Sequence, residues 1–372
     1  LKAQRSPFAL GPACSRAMAP MLSKPACPPP STPQEVVELA ARKARPLLEA
    51  LSQALHAGLT GTGEAVEATA QFLGGLTRAS VRVLEGLCCF DFRKFVRGPS
   101  PPKLADSLAP LLVLLLISLL YNAFVFVYMP TASIALASPT SMIFHAFIFL
   151  AFSSFVKAAQ TDPGGIPGSK EWRTHGQPPP HLRERKHGRD EPRWCRKSEA
   201  YKPDRAHYST AMRRVVLKFD HHCPWLGNTM GHGNYKFFFL FLLYATSACV
   251  MFNMNIVQLL VHLTLPAVDT FLLLGAEVLT VILTSILVPF TLFHAHLISR
   301  NVTTCEYWCR PDDSTDEPFP YDRGLYDNIC AALGENPLLW LFPVGGPSGD
   351  GLAFPRASDG PADAPVAAPC AG

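Results

Sequence analysis

The chain has 372 residues, of which 48% are hydrophobic and 17% charged, with a formal net charge of +4 and a mean hydropathy of +0.16. That is too apolar for an ordinary water-soluble chain of this length and points to a membrane protein. The small net charge, without a concentrated basic face or a matching fold motif, argues against nucleic acid as a partner, and 35 prolines lying mostly outside the apolar stretches exclude collagen and a single compact globule.

Residues 1–31 are rich in Pro, Ala and Ser and are expected to be disordered. Thr32-Pro33-Gln34-Glu35 then has the form of a capping box with Pro at the first helical position, and Val36, Leu39, Ala40, Leu47 and Leu51 follow at helical spacing, which predicts an amphipathic helix. A second helical stretch, Glu64–Leu87 with a weak point at Gly74-Gly75, leads into Cys88-Cys89-Phe90 and Arg93-Lys94-Phe95-Val96-Arg97. This mixture of basic and aromatic residues suits either a membrane surface or a solvated helical hairpin. Cys88 and Cys89 are either ordinary thiols or lipid-attachment sites. The N-terminus is Pro-rich and lacks a continuous apolar core of the kind a signal peptide carries.

The placement of Lys and Arg says more than their total. All lie in residues 1–103, in 157–236 or from Arg300 onward, and none lies in 104–156 or 237–299. Each empty window is long enough for two spans of ~20 residues. We place four transmembrane helices near Leu108–Tyr128, Thr140–Val156, Phe237–Leu263 and Phe271–Leu297. The links Met129–Pro139 and Thr264–Thr270 carry no positive charge, so the positive-inside rule puts both termini and the long middle loop in the cytosol. Two long buried hairpins in a soluble protein are a poor alternative for stretches this apolar. The expected fold is an all-α polytopic membrane protein with a cytosolic loop domain between the second and third helices. Its segments are a cytosolic N-terminal region (1–103), helices one and two (104–160), the loop domain (161–236), helices three and four (237–299), a cytosolic C-terminal segment (300–343) and a disordered tail (344–372).

Eleven cysteines are scattered along the chain, without the even, dense spacing of a secreted disulfide scaffold. Most fall on the cytosolic side, where thiols stay reduced. The loop ends in Lys218-Phe219-Asp220-His221-His222-Cys223-Pro224-Trp225, shortly before the third span. Within four positions this supplies a nucleophile (Cys223), an imidazole that can take its proton (His221) and a carboxylate to orient the imidazole (Asp220). The cluster lies near a membrane interface in sequence, within reach of a lipid-linked electrophile. A metal site built from His221, His222 and Cys223 is the alternative reading, although adjacent ligands rarely converge on one tetrahedral ion.

At these residues the sequence resembles the DHHC-type protein S-acyltransferases, also called palmitoyltransferases. The resemblance spans roughly residues 108–343 and rests on several motifs in order. These are Asp162-Pro163-Gly164, Lys202-Pro203-Asp204-Arg205, Asp220-His221-His222-Cys223-Pro224-Trp225 with Asn228, Gly231 and Asn234, then Thr303-Thr304-Cys305-Glu306. Tyr321-Asp322-Arg323-Gly324 with Asn328, and Trp340 with Pro343, close the set. The resemblance implies that Cys223 attacks a long-chain acyl-CoA such as palmitoyl-CoA and passes the chain to a cysteine of a membrane-associated substrate protein. His221 would be the general base and Asp220 its orienter. Thr304 would help hold the catalytic loop, and Asn328 would pack the C-terminal segment beneath it. Trp225 would sit near the thioester or serve as a plain interfacial aromatic. Arg213, Arg214 and Lys218 are candidates for the CoA phosphates, or simply positive-inside charge. Small residues Ala245, Thr246, Ser247 and Ala248 would leave room for an acyl chain, or serve close helix packing. The location implied is an endomembrane, ER or Golgi, or the plasma membrane.

The sequence departs from the family in one respect. The family's loop carries two zinc ions, each held by three Cys and one His. Aligned without gaps on Asp220, the first set of ligand positions is Cys195, Ser198, Tyr208 and Val215, and the second is Ser209, Met212, His222 and Thr229. Only Cys195 and His222 keep a ligand type, in different sets, and one ligand cannot hold a structural zinc. We therefore expect no bound cofactor and no zinc, with acyl-CoA as co-substrate and His222 making a hydrogen bond. The loop would be held by contacts among Tyr208, Met212, Val215 and Thr229 and by the C-terminal segment. Two other functions remain open: an inactive membrane scaffold, against which the intact Cys223 argues, and a transporter, against which the single in-span Glu277 argues.

Overall fold

The structure is a computed structural model and describes residues 104–180, 182–185, 190–262, 266–309 and 319–359. The expected N-terminal helices, Cys88 and Cys89, and residues 360–372 lie outside the described residues.

Among the described residues, four helices are long and apolar enough to cross a membrane. The first, α1 (Leu104–Asn122), continues through a wider-wound segment, Ala123–Tyr128, into Met129–Thr131. The second, α2 (Pro139–Gln160), starts with Pro139 at its first turn and the Ser138 hydroxyl accepting from the Ser141 N–H, a cap that satisfies one orphan donor. The third and fourth are α3 (Tyr235–His262) and α4 (Ala267–Ser299). Leu111, Leu115, Phe126, Phe149, Phe271 and Val281 stand exposed along these helices. Such rows of exposed apolar side chains are unfavourable in water and match a hydrocarbon surround, where only helices satisfy their own backbone polar groups.

α3 is the most buried of the four and packs on both α2 and α4. One apolar cluster joins Phe124, Phe144, Ala248, Phe252 and Ile256, with the Phe124 and Phe144 rings stacked at 3.7 Å. A second cluster, nearer the loop, joins Ala151, Phe155, Ala158, Phe237, Phe238 and Phe241 to Cys223, Leu226 and Met230. The Asp220–Cys223 motif is therefore seated on the helical core.

The loop between α2 and α3 corrects the expectation of an all-α fold. Among its described residues it holds three two-stranded antiparallel sheets: β1 (Trp194–Cys195) with β2 (Ala200–Tyr201), β3 (His207–Ser209) with β4 (Arg214–Val216), and β5 (His221–Cys223) with β6 (Asn228–Met230). Strands of two or three residues are too short to show an alternating hydrophobic pattern. Their turns place Glu199 and Arg213 at positive φ. The β5–β6 turn begins at Pro224 and closes on Gly227, whose φ of 62° suits a residue without a Cβ.

Beyond α4, the described residues include two short helices, α5 (Thr304–Cys309) and α6 (Leu325–Leu333). Leu338, Leu341 and Phe342 are exposed beyond them. The expectation of a disordered tail from residue 344 also needs correction, because residues 344–359 lie against the loop through contacts set out below.

Candidate active site

Two asparagines fix the β5–β6 hairpin to the end of α2. Asn228 on β6 donates from Nδ2 to the carbonyls of Ala158, Ala159 and Thr161 at 3.0–3.1 Å. Asn234 donates to Thr229 O at 2.9 Å and, more weakly, to the same end of α2, while accepting from the Gly231 N–H. The last carbonyls of a helix have no partners of their own, and here side chains of the loop supply them. Gly231 has no room for a side chain: a Cβ there would meet Leu217 O at 2.7 Å and Pro163 O at 2.9 Å. The Asp162-Pro163-Gly164 turn thus packs directly beneath the hairpin, and Asp162 also accepts from Gly164 N and pairs with Arg214.

Asp220, just before β5, and His221 and Cys223 on it are all buried. His221 Nδ1 donates to Asp220 Oδ2 at 2.7 Å. Asp220 also accepts from Thr304 twice, from its backbone N–H at 2.7 Å and its hydroxyl at 2.8 Å. Burial opposes ionisation of Asp220, but the hydrogen bond and charge of His221 and the Thr304 N–H outweigh it, holding the carboxyl below its ordinary range. Burial likewise opposes a charge on His221, yet the Asp220 hydrogen bond and the contact with Cys223 push its pKa up to about 9. The imidazole is therefore basic enough to take the thiol proton and keep it at neutral pH. Its tautomer is fixed by Asp220, which leaves the other nitrogen to face sulfur.

The His221 ring is walled by Phe238 edge-on at 5.0 Å and by His294 at 5.9 Å. His294 is fully buried on α4, with Nδ1 3.0 Å from the hydroxyl of Tyr235. Sequence reasoning missed both, since a lone His and a Tyr inside apolar helices carry no motif.

It also missed the charged hub behind the site. Arg205 is fully buried and donates to Glu306 at 2.7 and 2.8 Å, to Asn301 Oδ1 at 3.0 Å and to Asn301 O at 2.8 Å. Its guanidinium lies over the Tyr321 ring at 4.4 Å, while its backbone carbonyl accepts from Phe219 N at 3.0 Å. Glu306 in turn accepts from the Thr303 N–H. Arg205 and Glu306 thereby lock the segment just before Asp220 to the helix that presents Thr304. Both residues stand in the quoted motifs, and that was the signal available.

The remaining expected site residues fall as follows. Asn328 is buried and donates to Ser299 O at 2.8 Å and Asp322 Oδ1 at 2.7 Å, so it ties α6 to the end of α4. Trp225 is half-exposed. His222 Nδ1 lies 3.0 Å from the Thr229 hydroxyl. Arg213 is exposed, and Arg214 is engaged with Asp162. Lys218 needs correction as a phosphate ligand. It is buried, donates to Ala331 O at 3.1 Å and faces the Phe354 ring at 5.8 Å; burial and the neighbouring Arg205 charge lower its pKa to about 7. Ala248 lies inside the packed aromatic cluster, whereas Ala245 borders the cluster that holds Cys223. A cleft of ≈ 600 Å³ opens beside the hairpin, lined by Lys157, Thr161, His232, Phe237 and the glycines around Pro347.

The residues at the eight aligned zinc positions do not fit the metal. Tyr208 faces Val215 across β3–β4, and His222 faces Thr229 across β5–β6. The single imidazole and single thiol retained belong to different sets, and among the described residues no group of three or more His, Cys, Asp or Glu could hold an ion.

Residues 188–310 match the family described as DHHC palmitoyltransferase. The chain is 33% identical over 273 residues to "Probable protein S-acyltransferase 16" of Arabidopsis thaliana, a match covering 68% of this chain and 94% of that one. It is 37% identical over 175 residues to "Palmitoyltransferase ZDHHC15" of Rattus norvegicus (45% and 51% covered) and 34% identical over 173 residues to "Palmitoyltransferase ZDHHC2" of Mus musculus (44% and 46%), so it spans about half the length of these two relatives. With nearly the whole length of the plant relative aligned and the Asp220–His221–Cys223 file in place, the chain belongs to the family of DHHC-type protein S-acyltransferases.

Proposed function

We propose that the chain moves a long-chain fatty acyl group, such as palmitoyl, from acyl-CoA to cysteine thiols of membrane-associated proteins, with Cys223 as the carrier. The observation that carries this reading is the burial of Cys223 between a basic His221 and the apolar side chains at the ends of α2 and α3. In the first step the Cys223 proton passes to His221, the sulfur attacks the thioester carbonyl, and the C–S bond to CoA breaks. In the second step an acceptor thiolate attacks acyl-Cys223 and the Cys223 thiolate leaves. One thioester replaces another each time, so positioning and a thiolate are what the protein must supply. Keeping the chain in lipid avoids a cost of about 0.8 kcal/mol per CH2 exposed to water.

The distribution of Lys and Arg supports a cytosolic loop and cytosolic termini in a multi-pass protein of the ER, Golgi or plasma membrane. Exposed Arg213 and Lys157 in the cleft are the cations best placed for CoA phosphates, and Ala245 for the acyl chain. Asn328 and Trp225 support the loop from below and at the interface. Purified protein incubated with labelled palmitoyl-CoA should acquire hydroxylamine-sensitive label that disappears in Cys223→Ser. Label persisting in that variant overturns the assignment.

A further inference from the structure

In place of metal ligands, the loop is cross-linked by two other devices. At the second set of zinc positions, the His222 ring meets the Thr229 hydroxyl at 3.0 Å, Thr229 meets the Ser209 hydroxyl at 3.0 Å, and Ser209 accepts from the Met212 N–H at 3.2 Å. All four aligned positions therefore still converge, but through hydroxyls. At the first set, Cys195 and Val215 pack with Ala206 and Leu217 against Tyr208.

The second device is the segment 345–359. It is pinned at three places along the loop. At its start, the Gly349 carbonyl accepts from His232 Nε2 at 3.1 Å, and Gly351, at φ +77°, passes so close to the His232 ring that a Cβ would meet it at 2.7 Å. In the middle, Leu352 packs into the two apolar clusters that contain Cys195 and Tyr201, and Phe354 covers Arg205 at 5.1 Å and edges onto Tyr321. At its end, Asp359 pairs with Arg183 at 2.7 Å, and Ala357 N donates to Pro320 O at 2.8 Å. Phe354 therefore closes the pocket of the same Arg205 that couples the segment before Asp220 to the helix bearing Thr304.

We propose that residues 345–359 act as a strap which, together with the His222–Thr229–Ser209 chain, holds Asp220, His221 and Cys223 in their reactive arrangement, making acyl transfer by this chain independent of zinc and dependent on the strap. Phe354 and Leu352 are then positioning residues, acting through Arg205 and the loop core. This rests on Cys223 acylation as the activity, so the test includes readouts taken without acyl-CoA.

Elemental analysis of the purified full chain is expected to find no stoichiometric zinc, and labelling by palmitoyl-CoA should survive a strong chelator. Phe354→Ala should lower the melting temperature and slow labelling by about ten-fold or more, since loss of a buried aromatic also uncovers its cationic partner. Phe354→Tyr, which keeps the ring, should restore both. Converting the hydroxyl chain with S209C/M212C/T229C should create a zinc site and make the melting temperature fall in chelator. Near-stoichiometric zinc in the native chain, chelator-sensitive labelling, or a Phe354→Ala variant that melts and labels like the native protein would each overturn the proposal. If no variant or native protein is labelled at all, the zinc content and melting series still decide it, and only the activity assignment fails.

Discussion

His221→Ala is expected to slow formation of the acyl-enzyme by about 10²–10⁴-fold, the usual contribution of a positioned proton acceptor. The reason lies in the file Thr304–Asp220–His221–Cys223. Asp220, held ionised by Thr304 and His221, raises the imidazole pKa to about 9, so the proton taken from sulfur stays on nitrogen through the neutral range. Without His221 the thiol must ionise unaided. Residual labelling in the variant should then rise with pH more steeply than that of the native protein, as solvent base takes the place of the imidazole. A single-turnover labelling series across pH reads both. Equal pH slopes for the two proteins would remove His221 from the reaction.

Arg205→Met is expected to destabilise the loop by about 3–5 kcal/mol, because it leaves Glu306 beside a buried, uncompensated site. Burial opposes the charge on each partner, and each charge is sustained by the other: Glu306 holds the Arg205 pKa above its ordinary value, and Glu306 is held below its ordinary range by Arg205 and the Thr303 N–H. Replacing both, as Arg205→Met with Glu306→Gln, should recover part of the loss, which a double-mutant cycle of denaturant melts in detergent measures. Additive effects of the two changes would mean that the pair is not coupled. A drop in activity is expected alongside, since the helix carrying Glu306 also carries Thr304.

The four long helices were legible from the two Lys- and Arg-free windows, with α2 and α4 running a few residues beyond the expected ends at Gln160 and Ser299. The local file Asp220–His221–Cys223 could be read because its members are adjacent in sequence. What the sequence could not display was distance across the chain. Arg205 meets Glu306 across 101 positions and Asp220 meets Thr304 across 84, and no local period reports such pairs. The hairpins were missed because strands such as Trp194–Cys195 are shorter than one alternation. Residues 345–359 read as part of a tail because the last thirty residues are rich in Gly, Pro and Ala, and Gly and Pro serve turns as well as disorder. Lys218 looked like a surface cation by type, and only its contacts with Ala331 and Phe354 reveal it as buried.

The most direct measurement is a pulse–chase in proteoliposomes. Protein is given one equivalent of labelled palmitoyl-CoA, then excess unlabelled acyl-CoA and a membrane-tethered peptide bearing one cysteine, and the thioester is located by peptide mapping at each time. The account predicts label first on Cys223 and then on the peptide, the one declining as the other rises. Label appearing on the peptide without passing through Cys223, or settling on Cys305 or Cys330 instead, would contradict it.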